Sequence, residues 1–167
     1  GRMGSPMREA RLAAGASARG FEVVATGHPQ VTTTAHDFAK DVETLISVVR
    51  DEAQTEDLLF GAQDLVQRAG HLRTIIISST LSPRFTRALR ARVPVEISLI
   101  DAPMSGARVA AQEARLTFIL GGDSADLDAM EPLFLAMGQT LHRLGPFGAG
   151  MQAKVLNNLL AASHTAM

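Results

Sequence analysis

Residues 73–78 read "RTIIIS", three consecutive isoleucines between Arg-Thr and a serine. β-Branched side chains lose rotamer freedom in a helix and pack well on a pleated surface, so this run reads as a strand. An alternating apolar–polar pattern would mark a sheet wetted on one face. An unbroken apolar run marks a strand covered on both faces, as in the middle of a parallel sheet.

The flanking segments agree with that reading. "ETLISVV" (43–49) is a second short β-branched run, and "EDLLFGAQDLVQRAG" (56–70) has helical spacing that ends on Gly70. "SPRFTRALRARV" (82–93) starts a helix, with Ser82 as N-cap and Pro83 at the first helical position, where a missing N–H costs nothing. "VEISLID" (95–101) and "RLTFILGG" (115–122) return as strands. "DSADLDAMEPLFLAMG" (123–138) is a helix capped by Asp123 or Ser124 and closed by Gly138, with Pro132 as the place for a kink. "QTLHRLG" (139–145) reads as a last short strand, and a helix runs from about 149 to the end. Strand alternating with helix at this spacing predicts a doubly wound α/β fold. Its strands are expected at 44–49, 73–78, 95–100 and 116–120 and should be mostly parallel.

Residues 8–42 are less regular. "GFEVVA" (20–25) has strand character, "TGHPQVTTTAHD" after it offers only turn chemistry and an N-cap, and the Ala/Arg-rich 8–19 suits the helix after a glycine turn.

Composition narrows the function classes. Of 167 residues, 46% are apolar and 20% charged, which suits one domain with a sizeable core, or one domain and the start of another. A net charge of −1 gives no electrostatic reason to expect nucleic acid or an anionic membrane as partner. There is no cysteine, hence no disulfide or thiolate chemistry, and the five histidines (28, 36, 71, 142, 164) lack metal-ligand spacing, so no metal is expected. With no apolar run of about 18 residues and no signal-peptide pattern, a cytoplasmic location is the expectation.

Three segments carry candidate chemistry. "GRMGSPM" (1–7) has two glycines three apart ahead of a helix, matching the last two-thirds of a dinucleotide fingerprint; a Gly-Ser expression scar would look similar. "DAPMSGA" (101–107) places Ser105 and Gly106 in a turn after a strand, where a hydroxyl beside free N–H groups can hold a carboxylate; an ordinary Ser-Gly turn reads the same way. In "GAGMQAKVLNNLLAA" (148–162), Gly150, Lys154 and Asn158 fall on one helical stripe, flanked by Val155, Leu156, Leu159 and Leu160. Alone, such a lysine belongs to a solvated stripe.

Together these segments, with "STLSP" (79–83) and "GGD" (121–123), occur in the order and near the spacing of one family. The chain resembles the β-hydroxyacid dehydrogenases, which include 3-hydroxyisobutyrate dehydrogenase, tartronate semialdehyde reductase and the glyoxylate/succinic semialdehyde reductases. The resemblance implies a Rossmann-type NAD(P)-binding domain over 1–147, its first strand missing ahead of Gly1. It also implies that 148–167 start an interdomain helix leading to an all-helical domain outside this sequence, through which homo-oligomers would form. By the family pattern, Gly1, Met3, Gly4 and Thr80 contact NAD or NADP. Ser105 and Gly106 hold the substrate carboxylate, Asn158 helps hold the substrate, and Lys154 is catalytic.

The implied activity interconverts a small β-hydroxy acid and its semialdehyde by hydride transfer. Lys154, its pKa lowered by burial, would move the proton. Gly150 would leave room for substrate or nicotinamide, and a small hydroxy acid would span the distance from Ser105 to Lys154. Two alternatives stand beside it: a related reductase acting on a C=X group such as an imine, and a dinucleotide-binding regulatory protein without turnover. The lysine speaks against the first, and the intact Ser105/Lys154/Asn158 set against the second. The sequence departs from the family at Ala107, Ala110 and Ala114, where glycines are common, and 26–31 carries no clear ribose-reading residue.

Overall fold

All four side chains of β4 (Thr74–Ile77) are buried. The computed structural model, which describes residues 1–165, sets this strand between β3 (Thr44–Ser47) and β5 (Ser98–Asp101), both parallel to it. Ile77 stands opposite Ser47 on one side and Asp101 on the other. The isoleucines divide between two cores: Ile75 and Ile77 join Leu45, Leu59 and Leu99, whereas Ile76 joins Ile100, Phe118 and Phe134. Successive side chains of a strand point to opposite faces, so a strand with a core on each side must be apolar throughout. The expectation of an inner strand at 73–78 holds.

A second sheet contains β6 (Met104–Ser105), β7 (Leu116–Leu120) and β8 (Gly138–Arg143), with β6 antiparallel and β8 parallel to β7. It is tied to the first where Asp101 and Gly121 exchange backbone N–H···O=C bonds of 2.9 Å in both directions. β1 (Gly20–Phe21) and β2 (Val31–Thr32) form a short parallel pair. The helices are α1 (Gly4–Ala13), α2 (Ala35–Ala39), α3 (Glu52–Phe60), α4 (Leu65–Arg68), α5 (Pro83–Ala88), α6 (Arg108–Gln112), α7 (Ser124–Leu135) and α8 (Ala149–Thr165). α1 and α7 deliver Met7, Leu127 and Phe134 to one core. α3 and α4 deliver Leu58, Leu59 and Leu65 to the other. Helices on both faces of a mainly parallel sheet make the fold doubly wound and Rossmann-type.

Local signals worked where a side chain acts on its own backbone. Ser82 Oγ accepts the Phe85 N–H at 3.2 Å, and the cap of α7 is Asp123, which accepts from Ala125 at 3.0 Å. Other expectations are corrected. The helical stretch at 56–70 is two helices, because the Asp57 carboxylate takes the Ala62 N–H and a Cβ on Gly61 would lie 2.7 Å from Asp57 Cα. The strand expected from 95 begins at Ser98, because the Arg90 guanidinium holds the carbonyls of Val93, Pro94 and Ile97 in a turn. Gly138 opens β8 instead of closing α7, and a Cβ there would overlap the Leu116 carbonyl. At 20–25 only two residues pair, leaving Val23 and Val24 exposed, and the first helix starts at Gly4, not at residue 8.

Ala114 is left-handed with φ +51°. That region costs an L-residue on the order of 1–2 kcal/mol. Ala114→Gly should therefore raise stability by about 1 kcal/mol, read as a higher urea midpoint at unchanged m-value.

Candidate active site

The site is assembled at the end of β5. Asp101 closes that strand with no solvent exposure, and its carboxylate receives the start of α8. The Gly148 N–H donates to Oδ1 at 2.6 Å and the Met151 N–H to Oδ2 at 2.5 Å. A helix leaves its first four N–H groups without internal partners, and a carboxylate satisfies them with the favourable charge for that end of the dipole. Burial pushes the Asp101 carboxyl up to about 6, against the bonds from Gly148 and Met151, which favour the ionised form.

Such a group stabilises the fold fully below its ordinary pKa of 3.8, and that contribution is lost as pH rises through about 6. Wild type should thus lose stability relative to Asp101→Asn, which does not titrate, between pH 4 and pH 7. Paired urea titrations at the two pH values check this.

One turn after Met151, Lys154 reaches back over the sheet. Its ammonium donates to Ser105 Oγ at 2.9 Å, and burial lowers its pKa from the ordinary lysine value. Ser105 lies in β6, opposite Thr117 of β7, so it is held by a short antiparallel ladder and not by a free turn. Gly106 follows at φ +127°, and a Cβ there would come within 3.0 Å of Ala110 Cβ and Leu116 Cδ2. The glycine is required both by backbone angle and by space.

The structure thus brings Lys154 and Ser105 together, but in direct contact rather than separated by the length of a substrate. Asn158 is exposed one further turn along α8. Gly150 does not open room for a ligand: it is buried, and a Cβ there would overlap the Ile119 carbonyl oxygen and lie 3.0 Å from Asp101 Oδ2. Its absent side chain lets α8 lie on β7. Asp101 itself went unread in the sequence, where it marked only a strand end. The one available signal was an acidic residue finishing an apolar strand, a position that buries charge.

Thr80 is exposed just beyond β4, on a cleft of about 410 Å³ whose wall includes Arg50, Leu81, Pro83 and, from α8, Val155. Gly1 and Met3 precede α1, and Gly4 is its first residue. The terminal amine of Gly1 contacts the Glu22 carboxylate, and Met3 is half-buried beside the Ile76 core. A Cβ on Gly4 would meet only Val48, at 4.0 Å, so the end of α1 is open to approach just past β3. The open N-terminus of α1 past β3 and the cleft past β4 both lie at the carboxyl ends of parallel strands, the side on which open α/β sheets take their ligands. In the unread loop 26–31, His28 and Gln30 hold the buried Arg8 guanidinium of α1, Gln30 at 3.1 Å.

Fold and site define a dinucleotide-binding domain of an oxidoreductase type. Residues 1–145 match the family described as the NAD binding domain of 6-phosphogluconate dehydrogenase. The chain belongs to that family, and its cofactor is NAD or NADP. It is 31% identical to the NAD-dependent L-serine dehydrogenase of Pseudomonas aeruginosa, over 97% of this chain and 57% of that protein. It is 30% identical to the 2-hydroxy-3-oxopropionate reductase of Escherichia coli, over 77% of this chain and 44% of that one. Among solved structures, 3-hydroxyisobutyrate dehydrogenase of Mycobacterium tuberculosis with L-serine superposes with a TM-score of 0.85 at 28% identity, covering 97% of this chain and 57% of that one. The chain therefore spans about half the length of these relatives. Among the described residues, no helix is long and apolar enough to cross a membrane.

Proposed function

We propose that this chain is the dinucleotide-binding part of an NAD(P)-dependent dehydrogenase that interconverts a small β-hydroxy acid and its semialdehyde or oxo acid. In this reading Lys154 is the general acid–base, and Ser105, Gly106 and Asn158 hold the substrate. The observation that supports it best is the 2.9 Å pairing of the Lys154 ammonium with Ser105 Oγ at the edge of the sheet. Because Lys154 donates to Oγ, the serine O–H is free to donate to a substrate carboxylate, and the ammonium keeps two further N–H groups. A hydroxy acid would settle across the pair, with a carboxylate oxygen on Ser105 and its hydroxyl on Lys154.

A bound dinucleotide supplies the hydride acceptor, or the donor in the reverse direction; Gly1, Met3, Gly4 and Thr80 would contact it. During oxidation the neutral Lys154 amine takes the hydroxyl proton as the C–H hydride departs. During reduction the ammonium returns a proton to the carbonyl oxygen. Burial favours the neutral amine, which an exposed lysine would rarely supply at neutral pH. The apolar stripe of Leu156, Leu159 and Leu160 is exposed on α8, which suits a second, all-helical domain packing there in the full-length protein and covering the site.

The test is a cofactor-dependent assay of the full-length protein over small 3-hydroxy acids and semialdehydes. Oxidation should rise with pH through the lowered lysine pKa and reduction should fall over the same range. Ser105→Ala should act mainly by raising KM. No turnover with any such substrate, alongside intact dinucleotide binding, would favour a regulatory role.

A further inference from the structure

We infer that Asp101 is the positioning residue that holds Lys154 against Ser105, by fixing the start of α8 to the junction of β5 and β7. The inference rests on the reading of Lys154 as the acid–base group. Three observations carry it. The Asp101 backbone exchanges both hydrogen bonds with Gly121, next to β7, the strand that in turn pairs with Ser105. The two oxygens of its carboxylate take two N–H groups at the start of α8, one of them from Met151. And two glycines leave the space the carboxylate fills: a Cβ on Gly121 would overlap Oδ1, and one on Gly150 would lie 3.0 Å from Oδ2. Ser105 and Lys154 are thus registered to each other through one residue, its backbone on the sheet side and its side chain on the helix side.

Fully buried, Asp101 cannot touch substrate, so its effect must pass through the helix. Lys154 is three residues past Met151, about 4.5 Å along the axis at the usual rise. A helix end released from its anchor shifts Nζ by an amount that matters, since a misplacement of about 1 Å can cost about 10²-fold in rate. The raised Asp101 pKa agrees with a carboxylate retained in spite of its desolvation cost.

The experiment uses the full-length protein with Asp101→Asn, Asp101→Ser and Lys154→Ala, each scaled to the number of molecules that bind dinucleotide. Asp101→Asn turns one acceptor into an NH₂ that faces a helix N–H. It should lower kcat by about 10²-fold, keep dinucleotide Kd within about twofold, and move the pH limb of oxidation upward as Nζ leaves its half-buried seat. Asp101→Ser can still accept one N–H and should fall between; it also decides the matter if the asparagine variant does not fold. Wild-type kcat and an unmoved limb per binding-competent molecule would overturn the positioning role, including where the variants merely yield fewer such molecules. If Lys154→Ala is inactive while both Asp101 variants behave as wild type, only this inference fails. If Lys154→Ala keeps full turnover, the lysine reading fails and takes this inference with it.

Discussion

Lys154→Ala in the full-length protein is expected to lower kcat by about 10²–10⁴-fold while dinucleotide affinity survives. The size follows from what the residue does in the proposed reaction. A general acid–base contributes through one proton in the transition state, so its removal should reduce kcat and kcat/KM together. Binding should be spared because the positions proposed for the cofactor are other ones, at the start of α1 and beside Thr80. Stability should change little, since the side chain is half-exposed and its partner Ser105 can turn to water. Steady-state kinetics with fluorescence titration of the reduced dinucleotide would separate the two effects. A fall in affinity equal to the fall in kcat would place the lysine at the cofactor instead.

Gly121→Ala should damage the protein by a different route and more completely. Its Cβ would overlap Asp101 Oδ1 and lie 2.8 Å from the Pro146 carbonyl oxygen and 2.9 Å from Gly150 N. Two of these three atoms are backbone, which cannot swing aside as a flexible side chain can, and the third is a carboxylate fixed by two N–H donors. Overpacking in cores costs about 1–3 kcal/mol and occasionally more, and here the strain falls on the link between two sheets and a helix. A loss of about 3 kcal/mol is expected, with aggregation on expression or a sharply lower urea midpoint as the observable. A variant as stable as wild type would mean that the junction is looser than the geometry describes.

The parts of this molecule legible in the sequence are those in which one residue acts on its near neighbours. The isoleucine run declared a strand with a core on each face, because period-2 geometry turns Ile75 and Ile76 to opposite sides. Ser82 declared a helix start because its hydroxyl caps a backbone three residues away. The stripe from Lys154 was legible as a stripe, and family resemblance pointed it at Ser105. What was not legible depends on distant chain segments. Asp101 acts on residues 148 and 151, and nothing local to "SLID" says that a helix will start beside it. Gly150 was read as room for a ligand, whereas its neighbour is the Ile119 carbonyl, brought there only by the fold. Ser105, read as part of a turn with Gly106, lies in a strand because β7 runs alongside to pair with it. Residues 22–25 looked like a strand by composition, yet Val23 and Val24 have no core to face.

The proposed reaction requires one small molecule to meet Ser105 and Lys154 at once. A crystal structure of the full-length protein with oxidised dinucleotide and a small 3-hydroxy acid tests it most directly. A carboxylate oxygen is expected within hydrogen-bond distance of Ser105 Oγ and the substrate hydroxyl on Lys154 Nζ, with Asp101 still bound to the Gly148 and Met151 N–H groups. A substrate seated away from this pair, with the lysine turned to solvent, would contradict it.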